Sequence, residues 1–589
     1  MSDSSIANNL STEHIDIWTS TVKTKSASGR GSSKKTDLYG IKKLRELILE
    51  LAVRGKLVPQ DPSDEPASKL LERIAAEKAQ LVKEKKIKKP KALPEISEEE
   101  KPFELPEGWE WSRIQNIGHD LGQKKPDELF SYIDVGAINK EFGVITEPSI
   151  LNASDAPSRA RKIVKKGTVI YSTVRPYLLN IAVIDKDFSP EAIASTAFAI
   201  IHPLSGVINS FIYRYLRSPS FVQYVESVQN GVAYPAINDK QFFNGVIPIP
   251  PTSEQHRIVA KVDELMALCD QLEQQTESQI EAQQTLVSVL LETLTTSKNH
   301  NELMQNWQRL SKHFDTLFTT EQSIDQLKQT ILQLAVMGRL VPQDPTDEPA
   351  SKLLERIAAE KAQLIADKKI KKQKALPPIS DDEKPFELPE GWEWCRVDDV
   401  MVLKHGYAFK SSYFSEDSKA YILTTPGSFY ETGGFRDRGN KTKYYDGPLD
   451  QEFIFKANDL IIPLTEQAPG LLGSAAFIPD DGKTYLHNQR LAKLTPYLDL
   501  VSKEYIYWYF NSPYLRSELA RTCSGTTVRH SSPIKVQMTL FAIPPINEQS
   551  NIVAKVDELM AICDKLKSKL NQSQQTQLHL TDAIVEQVV

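Results

Sequence analysis

The sequence predicts an α+β chain in which two mixed α/β domains are separated by antiparallel helical, coiled-coil spacer regions and related by an internal pseudo-twofold repeat. Three observations carry that expectation. Residues Lys56–Trp111, from KLVPQDPSDEPASKLLERIAAEKAQ to FELPEGWEW, return almost unchanged as Arg339–Trp394, so one structural unit is used twice. Each copy is followed by short β-like runs broken by turn residues, and these two stretches share little sequence. Each stretch then closes on a proline-rich phrase, GVIPIPPTSEQ or FAIPPINEQ, that opens a helix with a heptad seam.

A chain of 589 residues is too long for one hydrophobic core and divides into several domains. The expected division is an N-terminal helical repeat region at 1–103, a first domain at 104–253, a central helical spacer and repeat region at 254–386, a second domain at 387–547 and a C-terminal coiled-coil helix at 548–589. With 40 % hydrophobic and 25 % charged residues, the composition is that of an ordinary globular protein. No apolar run spans a bilayer and the polar start MSDSSIANNLSTEH lacks a signal-peptide core, so no membrane contact and a cytoplasmic location are expected. Cys269, Cys395, Cys523 and Cys563 form no Cys-x-x-Cys pair and read as free thiols. A net charge of -6 argues against indiscriminate coating of nucleic acid, although local basic patches remain able to bind it.

Taken in order, residues 15–22 suggest a short helix before the linker-like KTKSASGRGSSKKTD. Ile41, Leu44, Ile48 and Leu51 recur at helical spacing, and Gly55 suits the end of that helix. In QDPSDEPAS, Asp64 or Ser63 is expected to cap a helix starting near Pro66, with an apolar stripe at Leu70, Ile74 and Leu81 and an end at Pro90. The run Lys83–Lys91 invites a DNA contact, but lysines also favour the negative end of a helix, and a solvated helix end is the preferred reading. Beyond Trp111, the runs YIDVGAI, GTVIYSTV, NIAVI and AFAII read as strands, with helices at 210–216 and 220–228. Ile258, Val262, Leu265, Cys269 and Leu272 then step by fours and threes as a coiled-coil seam, repeated by Ile552, Val556, Leu559, Cys563, Leu566 and Leu570. The C-terminal helix from Glu548 is expected to pair with the N-terminal helical unit, as Glu254–Thr296 pairs with the central one.

Two like frames therefore hold two unlike inserts, the second longer by about eleven residues because its start is displaced by 283 positions and its exit by 294. In this arrangement the chain resembles the specificity subunit of type I restriction-modification enzymes. The resemblance rests on LYGIKKLRELILELAVRGKLVPQ, the twin FELPEGWEW starts, the twin IPP-x-x-EQ exits and the divergent inserts, and it covers nearly the whole chain. It implies a non-catalytic adaptor whose two inserts are target-recognition domains, each reading one half of a bipartite, asymmetric duplex DNA sequence. It also implies partners: two modification (methyltransferase) subunits that use S-adenosylmethionine, and restriction subunits that use ATP and magnesium to translocate and cleave. No cofactor or metal is expected on this chain itself.

The motifs agree. There is no Asn-Pro-Pro-aromatic motif to hold a flipped adenine, and Phe477 stands where a phosphate loop ending at Gly482-Lys483-Thr484 needs its first glycine. Neither do the ten histidines show metal-ligand spacing. A reading of another class, a coiled-coil interaction scaffold whose inserts bind non-DNA ligands, makes the same residues plain surface.

Candidate DNA contacts follow from side-chain chemistry. Arg159, Arg161, Lys162, Lys165 and Lys166 form a basic cluster with few opposing acids, suited to phosphates. Arg175 and Tyr177 sit in the hairpin-like STVRPYL, where a guanidinium fork matches guanine O6 and N7. Tyr234, Asn238, Lys240 and Gln241 make a polar loop whose amides suit adenine, and in the second insert Gln467, Asn488, Gln489 and Arg490 carry base-reading side chains. Thr526, Thr527, Arg529, His530 and Lys535 suit a groove edge. Against each stands a structural hydrogen bond or an ordinary surface loop; Asn488 and Arg490 are equally suited to buttressing a β core. The loop FRDRGNKTKYY, with Arg436, Arg438, Lys441 and Lys443, reads as phosphate contacts or simple solvation.

Overall fold

The computed structural model describes residues 14–24, 36–297, 300–372, 376–416, 421–466, 468–523 and 529–588. They fold as two compact units, one of residues 36–278 with 14–24 and 574–588, the other of 279–573.

In the first unit the helix Tyr39–Val53 buries Ile41, Leu44, Leu47, Ile48 and Leu51 along one stripe. It stops at Gly55, whose φ of +69° lets the Lys56 N–H donate back to the Leu51 carbonyl at 2.9 Å. A Cβ at Gly55 would lie 2.4 Å from Pro106, so the missing side chain also lets the helix end seat on the LPEGW loop. The second unit repeats the device at Gly338, φ +67°, against Pro389.

The next helix, Ala67–Lys83, buries Leu70 and Ile74. Neither Ser63 nor Asp64 caps it, contrary to expectation. Pro66 occupies the cap position, Ser63 bonds Asp61, and the Asp64 carboxylate is drawn away to Arg257 at 2.6 Å. The helix also closes early, at Glu84, because Lys85 turns into the left-handed region at φ +58°. The lysines from 85 to 91 thus lie past the last turn, so only Lys83 meets the helix dipole.

The long helix Thr252–Thr296 buries Ile258, Val262, Leu265 and Cys269 as its heptads require. Its first turn is pinned through Glu254, which accepts from Trp109 Nε1 at 2.9 Å and from Gln60 Nε2 at 2.8 Å. Glu548, opening the helix Ile546–Val588, is held identically by Trp392 and Gln343 at 2.9 and 3.1 Å. Burial outweighs these bonds and pushes the Glu254 carboxyl up to about 7. Since the folded state then holds a proton that the unfolded state has released, stability falls as pH rises from about 4.5 to about 7. We expect Glu254→Gln to flatten this decline, read as the difference in Tm from the parent protein across that interval; parallel profiles would show that Glu254 is ionised throughout.

The helix pairing differs from the sequence expectation. Arg45 on the N-terminal helix pairs with Asp270 and Glu273 at 2.7 Å, so the opening half of Thr252–Thr296 lies on the frame before it, while Val287, Leu291 and Leu294 pack in the second unit's core. Likewise Lys567 approaches Glu321 and Asp325 of the helix Glu321–Val336 at 3.7 and 3.5 Å, and only the closing residues of Ile546–Val588 reach the N-terminal segment. There Thr21 and Thr581 share a hydrogen bond of 3.0 Å, and Tyr39 donates to Asp582 at 2.8 Å. Seam residues settle on whichever apolar stripe is first in reach, and the sequence period alone does not say which.

Each insert hangs from its frame by a two-stranded ribbon, Glu110–Arg113 with Val246–Ile249 and Glu393–Arg396 with Leu540–Ile543. The first insert then builds a sheet in the order Ile181–Val183, Val169–Ser172, Phe198–Pro203, Gly118–His119. The second builds its mirror in name only, Ala476–Phe477, Leu460–Pro463, Leu491–Pro496, Met401–His405, with the same neighbours in the same order. A further sheet in each contains one parallel pair, Phe130–Ile133 with Ala192–Ser195 and Tyr421–Thr424 with Tyr485–His487. The unlike sequences therefore share one topology. What they preserve is apolar patterning: these strands are buried almost throughout. Serine caps recur as well, Ser218 and Ser512 each starting a Pro-led helix, Pro219–Val228 and Pro513–Arg521.

Among the described residues no helix is long and apolar enough to cross a membrane.

Candidate nucleic-acid interface

Shared topology permits position-by-position comparison. The Thr173 carbonyl accepts from Ile237 N–H at 2.9 Å, and the Leu464 carbonyl from Ser531 N–H at 3.0 Å. From this register, the loop after Val169–Ser172 meets the loop before Asp239–Asn244 in the first domain, just as the loop after Leu460–Pro463 meets the one before Pro533–Gln537 in the second.

At that junction Arg175 is placed at φ +50°, a left-handed conformation that costs a non-glycine residue of order 1 kcal/mol or more. Its backbone is fixed by a 2.8 Å hydrogen bond to the Pro235 carbonyl, and its guanidinium lies 4.9 Å from the Tyr234 ring centre. Tyr234 and Tyr177 are exposed by 69 % and 52 %, so the structure unites these three predicted residues on one accessible tip. Val232, fully exposed beside them, was not singled out by the sequence reading; nothing in an isolated valine announces a loop tip.

The remaining first-domain candidates separate. Arg159, Lys165 and Lys166 are exposed, with no carboxylate paired to their charged ends among the described residues. Arg161 is half-buried and donates to the Ala160 carbonyl at 2.8 Å. Lys162 leaves the cluster: it is 4 % exposed, its ammonium 3.3 Å from Asp239 and 3.7 Å from Asp120, because its place on the strand Ala160–Ile163 points it inward. The adenine-reading role assigned to Asn238 and Gln241 is also corrected. They form a capping box on Asp239–Asn244, each side-chain oxygen accepting from the other's backbone N–H at 2.9 Å, and Gln241 further donates to the Val228 carbonyl. Lys240, beside them, is exposed.

In the second domain, Glu466 stands in register with Arg175 and takes Arg529 at 3.1 Å, so an ion pair joins the loops where a cation–π contact does in the first. Arg529 also donates to the Ala520 carbonyl at 2.8 Å, and Lys535 to the Thr522 carbonyl at 2.6 Å, which ties two predicted cations to the fold; His530 is exposed. Gln467, Thr526 and Thr527 lie outside the described residues.

Asn488, Gln489 and Arg490 form the turn between Tyr485–His487 and Leu491–Pro496. Asn488 Oδ1 accepts from Arg490 N–H at 2.9 Å. Beneath it the His487 imidazole is buried and pushed down to about 4, so it stays neutral and donates through Nε2 to the Leu491 carbonyl at 3.2 Å. Gln489 and Arg490 therefore project from a rigid turn instead of buttressing the core. Their counterparts in the first domain are Thr196 and Ala197, since the Thr173 and Leu464 N–H groups donate to the carbonyls of Ala197 and Arg490 respectively. This turn borders a cleft of about 380 Å³ that also gathers Arg438 and Lys443 from the loop read as phosphate contacts or simple solvation.

Two domains of one topology, set on near-identical helical frames, present different cations, amides and aromatics at matched loop positions, the mark of a recognition module. The family model for "Type I restriction modification DNA specificity domain" matches residues 106–282 and again 389–573. The Escherichia coli type I restriction enzyme EcoAI specificity subunit is 45 % identical over 98 % of this chain and 99 % of its own, and the EcoEI specificity subunit 42 % identical over 98 % of each. A solved chain from a study of assembly and conformational transition of the type I R-M system, 23 % identical, covers 83 % of this chain and 99 % of its own at a TM-score of 0.51, a likeness of fold. The chain belongs to the family of type I restriction-modification specificity subunits, the non-catalytic components that recognise the DNA target.

Proposed function

We propose that each insert reads one half of an asymmetric, bipartite duplex target, while the helical frames dock two modification subunits and, through them, restriction subunits. The observation that carries this is the register match: where the scaffolds correspond, the first domain has Arg175 and Thr196-Ala197, and the second has Glu466 and Gln489-Arg490. Equal scaffolds with unequal donors and acceptors suit two half-sites of different sequence. In the first domain, Arg159, Lys165 and Lys166 are placed to hold phosphates and set register, and Arg175, stacked on Tyr234, to read a base edge. S-adenosylmethionine, ATP and magnesium belong in this scheme to the partners.

The test is duplex binding by the chain together with its modification partner. Binding should be sequence-selective and weaken with salt; equal affinity for random duplex sinks the proposal. Arg175→Ala should cost about 1 to 3 kcal/mol of discrimination in one half-site only. Arg175→Gly should lose the same discrimination yet raise the unfolding free energy by up to about 1 kcal/mol, because glycine adopts φ +50° without strain. A competition assay across single-base variants of both halves, alongside thermal unfolding, reads both effects.

A further inference from the structure

The cleft in the second domain has a composition that reading DNA edges does not require. Arg438, Lys443 and Arg490 all line it, no Asp or Glu does, and none of the three lies within ion-pair distance of a carboxylate among the described residues. In a protein of net charge -6, three uncompensated cations round one cavity mark an anion site. Arg438 is held there by its Nη1, which donates to Thr425 Oγ1 at 3.1 Å, and it lies close over Gly427, where a Cβ would come 2.8 Å from its Cζ.

The lining is also aromatic. Phe409 and Phe414 line the cleft, with the Lys443 ammonium 5.6 Å from the Phe414 ring centre. Phe409 belongs to a run of rings, with Tyr407 at 5.3 Å and Tyr445 at 4.8 Å, and Tyr407 packs in turn on Phe453 at 5.2 Å. Phe414 and Tyr407 are 39 % and 45 % exposed, which leaves ring surface uncovered. Asn488 commits its oxygen to Arg490 N–H, so its amide NH₂ remains to donate into the cleft. A volume of about 380 Å³ lies in the range of small-molecule sites, which begin near about 300 Å³, and exceeds what a lone phosphate needs.

Ring surface, an amide hydrogen-bond donor and three cations lining one cavity match a single chemical unit. We propose that this cleft is a nucleotide pocket that takes one nucleoside 5′-phosphate out of a base stack, its base against Phe409 and Phe414, its phosphate against Arg438, Lys443 and Arg490. Aromatic faces beside unpaired cations are how proteins hold unstacked nucleotides. The first domain has no such chemistry at the matched positions: Ser149 stands for Lys443, Ser195 for Asn488 and Ala197 for Arg490. The nucleotide comes either from the DNA, in which case the inference rests on the DNA-reading role of this domain, or from solution.

Isothermal titration of the full chain with the four deoxynucleoside 5′-monophosphates, and separately with inorganic phosphate, decides it. At least one monophosphate should bind in the millimolar range or tighter, phosphate about tenfold more weakly, and Phe414→Ala and Lys443→Ala should each weaken the monophosphate about tenfold without moving Tm. Displacement of the monophosphate by target duplex, in the presence of the modification partner, assigns the nucleotide to DNA; persistence alongside bound duplex assigns it to solution. No binding at about 10 mM, phosphate binding as tightly as any monophosphate, or unchanged affinity in both variants overturns the pocket. Target-duplex affinity is measured on the same preparations, so loss of the pocket is distinguished from loss of DNA recognition.

Discussion

Exchanging residues 110–249 for the matching segment of a relative with another target changes one half of the recognised sequence and leaves the other half intact. The boundaries follow from the ribbon Glu110–Arg113 with Val246–Ile249, whose four paired positions would be severed by a cut inside either strand. Trp109 and Glu254, on the frame side, keep their 2.9 Å hydrogen bond, and Glu50 remains available to the start of the helix Pro219–Val228, where it accepts from Ser220 N–H at 3.0 Å. The effect should be large. Each mismatched base pair costs about 1 to 3 kcal/mol, so a half-site read wrongly at three or four positions shifts relative affinity by several orders of magnitude. Mapping the methylated adenines made by the reconstituted complex reads the outcome directly. Change in both halves would mean that the domains do not read independently.

The second large effect concerns stability. Arg396 is 4 % exposed, yet it fastens three segments: Nη1 donates to the Met538 carbonyl at 2.8 Å, Nη2 to Glu383 at 3.0 Å and Nε to the Pro377 carbonyl at 3.3 Å. Arg396→Ala removes a buried guanidinium, but Glu383, Pro377 and Met538 are themselves exposed and regain water, so the loss of packing and of three hydrogen bonds costs about 1 to 3 kcal/mol. For a unit of this size that corresponds to a Tm lower by roughly 2 to 12 °C. Arg396→Lys should recover only part of the loss, since an ammonium cannot reproduce the guanidinium fork. A decline under about 1 kcal/mol in Arg396→Ala, measured by denaturant unfolding, would show that the acidic linker before FELPEGW is held by something else.

The frame was legible in the sequence because repetition, heptads and glycine stops are local signals. Gly55 marked its helix end correctly, and the seams are buried up to Cys269 and Cys563, with Leu272, Leu566 and Leu570 beyond them half-buried. Which helix each seam meets was not legible, since apolar stripes of equal period are interchangeable on paper. Site residues divide along a similar line. Arg175, Tyr177 and Tyr234 were nominated by chemistry and do share a tip, whereas Lys162 and Gln241 have the same chemistry but are consumed by Asp120, Asp239 and a helix cap, and Asn238 commits its oxygen to that cap. Side-chain type states what a residue is able to bind; only folding states whether a neighbour already holds it. Arg438 and Lys443 were undervalued for the converse reason, because the strands that bring them beside Asn488 are distant in sequence.

The tip carrying Tyr177, Val232 and Tyr234 has a consequence for how such proteins diversify. Exposed side chains of this kind support little of the fold, and their replacement is expected to alter stability by no more than about 0.5 kcal/mol. On the DNA-reading role proposed for this tip, mutational drift would change the letters the domain prefers while the molecule stays above its stability threshold. The same proposal makes new specificities accessible by single steps neutral in stability as well as by wholesale exchange of domains.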